Sequence, residues 1–388
     1  MTPLERRASG WLASIVALRL FGLFIILPVF AIYGRELPGG QEPYLIGLAI
    51  SIYGLTQGLF QLPFGAASDR FGRKPVIVIG LVVLAIGSVV AALSDTIMGV
   101  VLGRALQGAG AVSAAVSAFI ADSTRDEVRT KAMATVGATV GLTFAVALVI
   151  SPPLTAWIGL SGVFWITAAL ACCGIVVVAW IVPAAPLNPP AAEQMRRGDV
   201  LFDPQLLRLN VGVFVTFICQ TAIFVVIPTL LVERGLLPAP RHWMVYAPVM
   251  LLSLAVMIPP LLAAERRGKV RQVFLGAIAT MTVAMVIAPF AVDAALAGLV
   301  VFLLLFFIAL NLVEALQPSL VSRLAPPHLK GFAMGVYNTT QAFGLALGGI
   351  LGGTVAKRFG DNAVFYVCAG LTALWFVVAW SMVPPGKK

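Results

Sequence analysis

The chain has 388 residues, of which 60% are hydrophobic and 11% are charged. A soluble domain carries about 25% charged residues, so this composition excludes an ordinary soluble protein and indicates a membrane protein. The formal charge of +10 then reflects orientation and contact with anionic lipid rather than nucleic-acid binding. The four cysteines all fall in apolar segments, which predicts neither a disulfide framework nor a metal site.

Twelve apolar segments are long enough to cross a bilayer, which takes about 20 helical residues. We predict membrane helices near residues 12–34, 44–66, 75–93, 97–120, 129–150, 162–183, 206–231, 242–264, 271–292, 295–321, 331–355 and 362–383. The first segment is of full length and lacks the cleavage pattern of a signal peptide, so we expect it to remain as a membrane helix. The predicted fold class is an all-α membrane protein.

The basic residues are distributed unevenly between the two sides of the predicted membrane. With the N-terminus inside, the outside loops hold only Arg35, Arg234, Arg241, Lys357 and Arg358. Two arginines lie within spans, and all other lysines and arginines fall on the cytoplasmic side. The positive-inside rule therefore predicts that both termini are cytoplasmic.

The turn between the second and third spans is short and charged. A turn of this length has no room for a domain, so its charges must act at the membrane surface. It resembles the signature of the major facilitator superfamily, a glycine followed by Asp-Arg-x-Gly-Arg-Lys. The matching residues are Gly65, Asp69, Arg70, Gly72, Arg73 and Lys74.

This resemblance implies that the turn takes part in the conformational cycle of a transporter. It implies a charge network among Asp69, Arg73 and Asp122, the last at the end of the fourth span, that latches the outward-facing state. Gly65 would allow the second span to approach the eleventh closely. The alternative is a turn whose positive charges only fix the orientation of the protein.

The fourth and fifth spans contain two further similarities to this superfamily. Arg104, followed by Gln107 and Gly108, is similar to a fourth-helix motif, and the resemblance implies a role in cavity lining and proton transfer. The alternative is a fixed cation that tunes a neighbouring carboxylate. The fifth span matches the glycine ladder of antiporters only in part, because Ser151 stands where a glycine is usual. This leaves antiport and symport both open.

The longest polar interruption divides the chain into two six-helix bundles, residues 1–184 and 205–388, joined by a cytoplasmic linker at 185–204. The sequence around Asp69 recurs loosely around Glu265, and the start of the fifth span recurs at the start of the eleventh. Two matches at nearly the same offset favour duplicated halves over chance similarity. Duplicated halves that move around a central site are typical of secondary transporters.

Glu314 is the only acidic residue deep within a predicted span. It shares a helix face with Asn311 and Gln317, three residues away on either side. A charged group within the membrane indicates function, so we predict that Glu314 carries a proton. The alternative is a carboxylate satisfied by neighbouring helices. Arg19 lies about 12 Å into the first span and could balance Glu314 across the cavity, because the first and tenth helices line the cavity in this superfamily.

The walls of the predicted cavity are apolar, with scattered polar groups, which suits a hydrophobic or amphipathic solute. The polar residues that we expect there are Tyr53, Gln57, Gln107, Gln220, Asn311, Gln317, Tyr337, Asn338 and Gln341.

The whole chain resembles the drug:proton antiporter branch of the superfamily, and within it the YajR-like transporters. The resemblance implies a monomeric transporter of the inner membrane that exports small molecules by alternating access in exchange for protons, without a cofactor. A proton symporter or a facilitator remains an alternative, as does a membrane sensor or channel. We do not expect an enzyme, because the sequence contains no Ser/His/Asp or metal-ligand cluster.

Overall fold

The computed structural model describes residues 2–183, 198–326 and 329–383, without the side chains of residues 4, 69, 121, 126–135, 137, 138, 265, 266, 330 and 331. These residues form fourteen α-helices. In chain order they are α1 (Pro3–Phe24), α2 (Leu27–Tyr33), α3 (Pro43–Phe71), α4 (Arg73–Ala92), α5 (Ile97–Ala109), α6 (Ser113–Asp122), α7 (Asp126–Val176), α8 (Gly198–Leu201), α9 (Pro204–Glu233), α10 (Trp243–Arg266), α11 (Val270–Asp293), α12 (Ala295–Leu324), α13 (Lys330–Phe359) and α14 (Asp361–Trp380).

Breaks within the predicted spans coincide with proline and glycine. Pro28 lies in the first turn of α2, and because proline has no N–H to donate, the first span is divided into α1 and α2. Gly110 adopts a non-helical conformation (φ −72°, ψ 51°) that separates α5 from α6. Helix α7 contains the fifth and sixth spans, which meet at Gly159, where φ is +72°.

Ten stretches of the described residues are long and apolar enough to cross a membrane. The fifth and sixth predicted spans fall within one of them, and α13 is less hydrophobic because it contains many glycines and polar residues. The predicted all-α fold is confirmed. The division into two bundles and a linker stays a prediction, since residues 184–197 lie outside the described residues.

Helix α13 packs against both α3 and α9 through its glycines. A Cβ added to Gly349 would lie 2.6 Å from the carbonyl oxygen of Gly47 in α3. A Cβ added to Gly348 would lie 2.5 Å from the carbonyl oxygen of Ile218 in α9. These separations leave no room for a side chain, so the helix backbones approach directly. The α13 glycines therefore hold the first half of the chain, α1 to α7, against the second half, α9 to α14.

The two halves are also joined by ion pairs at one end of the helix bundle. We call this end the Glu42 face, and the opposite end, which holds Gly72 and Asp122, the Asp122 face. Lys357 of α13 pairs with Glu42, which precedes α3. Arg35 Nη1 lies 3.7 Å from Glu233 Oε1, at the end of α9. Each pair has one member in each half.

Four phenylalanines pack together between the two halves. The ring centroids of Phe24 and Phe144, both in the first half, are 5.0 Å apart with nearly perpendicular planes. The ring of Phe144 is 6.2 Å from those of both Phe224 and Phe307 in the second half. Aromatic contacts, glycine packing and ion pairs thus hold the halves together toward the Glu42 face.

Candidate functional site

The charged turn predicted from the sequence forms a compact junction between α3, α4 and α6. Gly72 has φ +93°, a conformation that favours glycine, and it turns the chain from α3 into α4. The Nε of Arg73 donates to Oδ2 of Asp122 at 2.7 Å, and its Nη1 donates to the Ser68 hydroxyl at 2.8 Å. That hydroxyl donates in turn to the Gly65 carbonyl. Arg73 therefore ties the end of α3 to the end of α6.

The other residues of the turn are placed differently. The guanidinium of Arg70 lies 5.4 Å from the ring of Phe71, which is exposed. Lys74 is half-buried, and the side chain of Asp69 lies outside the described residues. A Cβ added to Gly65 would lie 3.5 Å from Ala114 of α6, and no described atom of α13 lies within 4 Å of it. Among the described residues, the expected approach of Gly65 to the eleventh span is therefore not seen.

Arg104 is buried in the first half at the centre of a hydrogen-bond network. Its Nε donates to the Ala49 carbonyl of α3 at 3.3 Å, and its Nη1 donates to Oε1 of Gln107 at 2.9 Å. Gln107 then donates to the Ser88 hydroxyl of α4 at 2.8 Å. The guanidinium carbon lies 4.7 Å from the ring centroid of Tyr53. Arg104, Gln107 and Tyr53, three predicted site residues, are thus brought together.

Arg19 approaches the same tyrosine. Its guanidinium carbon lies 5.8 Å from the ring centroid of Tyr53, and its Nη1 donates a hydrogen bond to the hydroxyl of Ser113 in α6. Arg19 forms no ion pair with Glu314 among the described residues. The expected balance between these two charges is therefore not a direct contact here, where Arg19 belongs to the Tyr53 cluster of the first half.

Glu314 lies half-buried on α12 between two hydrogen-bonded neighbours. Asn311 donates to the Ser253 hydroxyl of α10 at 2.9 Å, and Gln317 accepts a hydrogen bond from the Tyr337 hydroxyl of α13 at 3.2 Å. The carboxylate of Glu314 makes no hydrogen bond or ion pair within the described part of the chain. The polar face of α12 is thus anchored on either side of a carboxylate that remains unpaired.

The comparison with known proteins identifies the family. Residues 12–349 match the family model described as Major Facilitator Superfamily. The chain belongs to the major facilitator superfamily. It is therefore a multi-pass membrane transporter, which is not a class of enzyme, and the predicted resemblance is confirmed.

Individual relatives of this superfamily member cover nearly all of the chain. It is 46% identical over 389 residues to the inner membrane transport protein YajR of Escherichia coli (strain K12), covering 99% of this chain and 85% of that one. It is 26% identical over 341 residues to the multidrug resistance protein MdtH of Proteus mirabilis (86% and 83% covered). The crystal structure of the human organic anion transporter MFSD10 (TETRAN) matches with a TM-score of 0.72 at 21% identity (98% and 100% covered), which shows the fold alone.

The remaining predicted cavity residues of the transporter lie on α3, α9 and α13, the helices through which the two halves meet. Gln57, Asn338 and Gln341 are half-buried and form no hydrogen bond within the described residues. Gln220 is 2% exposed, and its Nε2 has no hydrogen-bond partner there. These amides lie on the helices through which the two halves adjoin, and a role for them in substrate binding stays a prediction.

Sequence reasoning missed two groups of charged residues. Arg125 Nε lies 2.9 Å from Oε1 of Glu5, which ties the start of α1 to the loop before α7. The spacing of Thr2 and Glu5, typical of a capping box, could have indicated the start of α1, but no local pattern indicates the contact with Arg125. The cross-half ion pairs at the Glu42 face were also missed, and no local motif marks them.

Proposed function

We propose that this transporter is a proton-coupled exporter of small hydrophobic or amphipathic compounds and works in the inner membrane by alternating access. The names of two relatives support the proposal: one is an inner membrane transport protein and the other a multidrug resistance protein. The proposal of proton coupling is based on Glu314. The conformational state that we assign to the structure is based on the contacts at the Glu42 face.

The unpaired carboxylate of Glu314 is the observation that carries the proposal. An ionisable side chain within a membrane span is costly and is retained for a function. Because Glu314 makes no ion pair or hydrogen bond with any described residue, it can gain or lose a proton without breaking a network among them. Its neighbours Asn311 and Gln317 hold α12 in place on either side. A carboxylate that can change its protonation state while its helix stays in place suits a proton-coupled carrier.

The closed Glu42 face suggests which state of the cycle the structure represents. The positive-inside rule places Arg35 and Lys357 on the outer side of the membrane. The halves are joined there by ion pairs and glycine packing. We therefore assign the structure to a state that is closed to the outside, from which the compound would be released outward only after these contacts break.

We propose that the junction around Arg73 acts in the outward-facing state, in which the Glu42 face is open. The contacts of Arg73 with Asp122 and Ser68 lie within the first half, so here they brace that half internally. We propose that Gly65 and the braced turn meet α13 when the Glu42 face opens, and that this contact latches the outward-facing state. The lack of a described α13 atom within 4 Å of a Cβ added to Gly65 supports a released latch in the present structure.

Proton movement in sealed proteoliposomes tests this function. Lipophilic cations, neutral drugs and organic anions would be added one at a time under an imposed pH gradient, with internal pH read by a dye. The comparison is between the parent protein, Glu314→Gln and the matched control Glu36→Gln, which changes an exposed acid at the Glu42 face. We expect compound-dependent proton flux in the parent and the control, and none in Glu314→Gln.

Two results would contradict the proposal in different ways. Compound movement that ignores both the gradient and the Glu314 substitution would indicate a facilitator. Proton and compound moving in the same direction would indicate a symporter, an alternative that the incomplete glycine ladder of the fifth span leaves open.

A further inference from the structure

The first half of the transporter contains two buried positive charges on either side of one helix. Arg19 of α1 and Arg104 of α5 are 2% and 1% exposed, and both contact Tyr53 of α3, which is 1% exposed. Among the described residues, the hydrogen-bond partners of the two guanidiniums are all neutral: the Ser113 hydroxyl, the Ala49 carbonyl and the Gln107 amide. Within the described residues, no carboxylate pairs with either arginine.

Several donors of this cluster are buried without a partner. They are Nε and Nη2 of Arg19, Nη2 of Arg104 and the hydroxyl of Tyr53, none of which forms a hydrogen bond within the described residues. A buried charge without a counter-ion is strongly unfavourable, and the contacts with the tyrosine ring compensate it only in part. Burying two cations and several unpaired donors together costs free energy, and this cost requires an explanation.

The geometry of these donors suits an anion. A guanidinium presents a planar set of N–H groups that matches the oxygens of a carboxylate, sulfonate or phosphate, and such charge-assisted hydrogen bonds are among the strongest in proteins. Arginine within a membrane protein typically faces a partner or a substrate pathway. Since no described acidic side chain serves as the partner, an anionic solute would complete the site.

Apolar surface for the rest of such a solute lies close by. Phe24 follows Arg19 by five residues on α1, about 7.5 Å along the helix axis. Its ring belongs to the cluster with Phe144, Phe224 and Phe307 that joins the two halves. Five residues also turn the helix by about 140° beyond one full turn, so a compound with its charged group at Arg19 would need a hydrophobic body that reaches partly around α1 to meet these rings.

We propose that Arg19, Arg104 and Tyr53 bind the anionic group of the transported compound, so that the substrate class is the amphipathic organic anions. This inference rests on the proposed transport function and narrows it, because lipophilic cations would be repelled by the two arginines. An inside-negative membrane potential would add to the driving force for export of such an anion.

Binding of three probes with one hydrophobic body tests the proposal. The probes are 2-naphthoate, 2-naphthamide and 2-naphthylmethylammonium. A second set with the same three groups on biphenyl is measured as well, in case the naphthalene ring itself fits the site poorly. Affinities would be measured by titration calorimetry on the full chain in nanodiscs. We expect the carboxylate to bind at least about tenfold more tightly than the amide, and the ammonium compound to bind most weakly.

Substitutions test whether the two arginines cause the preference for the carboxylate probe. Arg19→Gln and Arg104→Gln should each remove the preference for the carboxylate and leave the affinity for the amide unchanged. Arg241→Gln, which changes an exposed arginine, should keep the preference. If Arg104→Gln fails to fold because its contacts with Ala49 and Gln107 are lost, Arg104→Lys keeps the charge but not the planar donors, and should weaken carboxylate binding partially.

The outcomes separate this inference from the proposed function. Equal affinity for carboxylate and amide in both probe sets, or equal weakening of all three probes by Arg19→Gln, would overturn the anion site. Proton-coupled transport of the ammonium probe that Arg19→Gln does not affect would overturn it as well and leave the proton mechanism standing. Arginine-dependent carboxylate binding without proton flux would support the anion site and contradict proton coupling.

Discussion

Arg35 of the first half and Glu233 of the second half approach to 3.7 Å at the Glu42 face, where they join two parts of the chain about 200 residues apart. Lys357 and Glu42 make a second connection of the same kind. All four side chains are well exposed, and exposed ion pairs contribute about 0–1 kcal/mol each. These pairs therefore bias the conformational equilibrium and do not lock it, which suits a contact that must break in every cycle.

Breaking both pairs should open the Glu42 face. We expect Glu42→Gln combined with Glu233→Gln to raise the population open at this face by up to about thirtyfold, because up to about 2 kcal/mol of cross-half attraction is lost. The measurement is the labelling rate of a cysteine introduced on α9 beneath the Glu42 face, at Thr229, which is 5% exposed. Cys172 and Cys173 are exposed and must be replaced first.

A charge reversal provides the control for this prediction. Glu42→Lys should increase labelling, and Glu42→Lys combined with Lys357→Glu should return it toward the parent rate. Raising the salt concentration should act in the same direction as the neutral substitutions, since exposed charges are screened. Labelling that is identical in all variants would show that these pairs do not influence the state.

Side chains added between α3 and α13 should destabilise the closed state. A Cβ at Gly47 would lie 2.2 Å from the carbonyl oxygen of Gly349, so Gly47→Ala forces the two helices apart. We expect a loss of about 1–3 kcal/mol in the stability of this state, read as a lower melting temperature in detergent. Gly370→Ala is the matched control, because a Cβ there meets no atom within 4 Å. An equal effect of both substitutions would contradict the packing argument.

The junction between α3 and α6 should depend on Asp122. In Asp122→Asn the Arg73 side chain loses its charged partner, whose side chain is 30% exposed, so we expect a loss of about 1 kcal/mol or less in stability. If the junction latches the outward-facing state, compound export should nevertheless fall several-fold, seen in the initial rate in proteoliposomes. Asp95→Asn, at an exposed acid, is the control. If Asp122→Asn exports the compound at the parent rate, the junction has a structural role only and does not act as a latch.

Local patterns in the sequence predicted most of the fold, because apolar length determines the spans and proline or glycine determines where they break. The contact of Arg73 with Asp122 was implied by the family resemblance, and the spacing of Arg104 and Gln107 indicated a shared helix face. The partners of Arg19 were not indicated, since Ser113 is 94 residues away and no spacing rule connects them.

The contacts between the two halves could not be predicted from the sequence for a further reason. They depend on the conformational state as well as on the fold. Glu42 and Lys357 are 315 residues apart, and under our proposal they meet only while the Glu42 face is closed. The same holds for Gly65, whose expected approach to α13 belongs to another state of the cycle under our proposal.

Exchange and accumulation, measured on the same proteoliposomes, test the central claim most directly. A compound that the parent accumulates against its gradient would be followed in the parent, Glu314→Gln and Glu36→Gln, first with an imposed pH gradient and then as exchange of labelled for unlabelled compound without a gradient. If Glu314 carries the proton, Glu314→Gln keeps the exchange and loses the accumulation. Accumulation at the parent level in Glu314→Gln would contradict the account, and so would an equal loss of both activities.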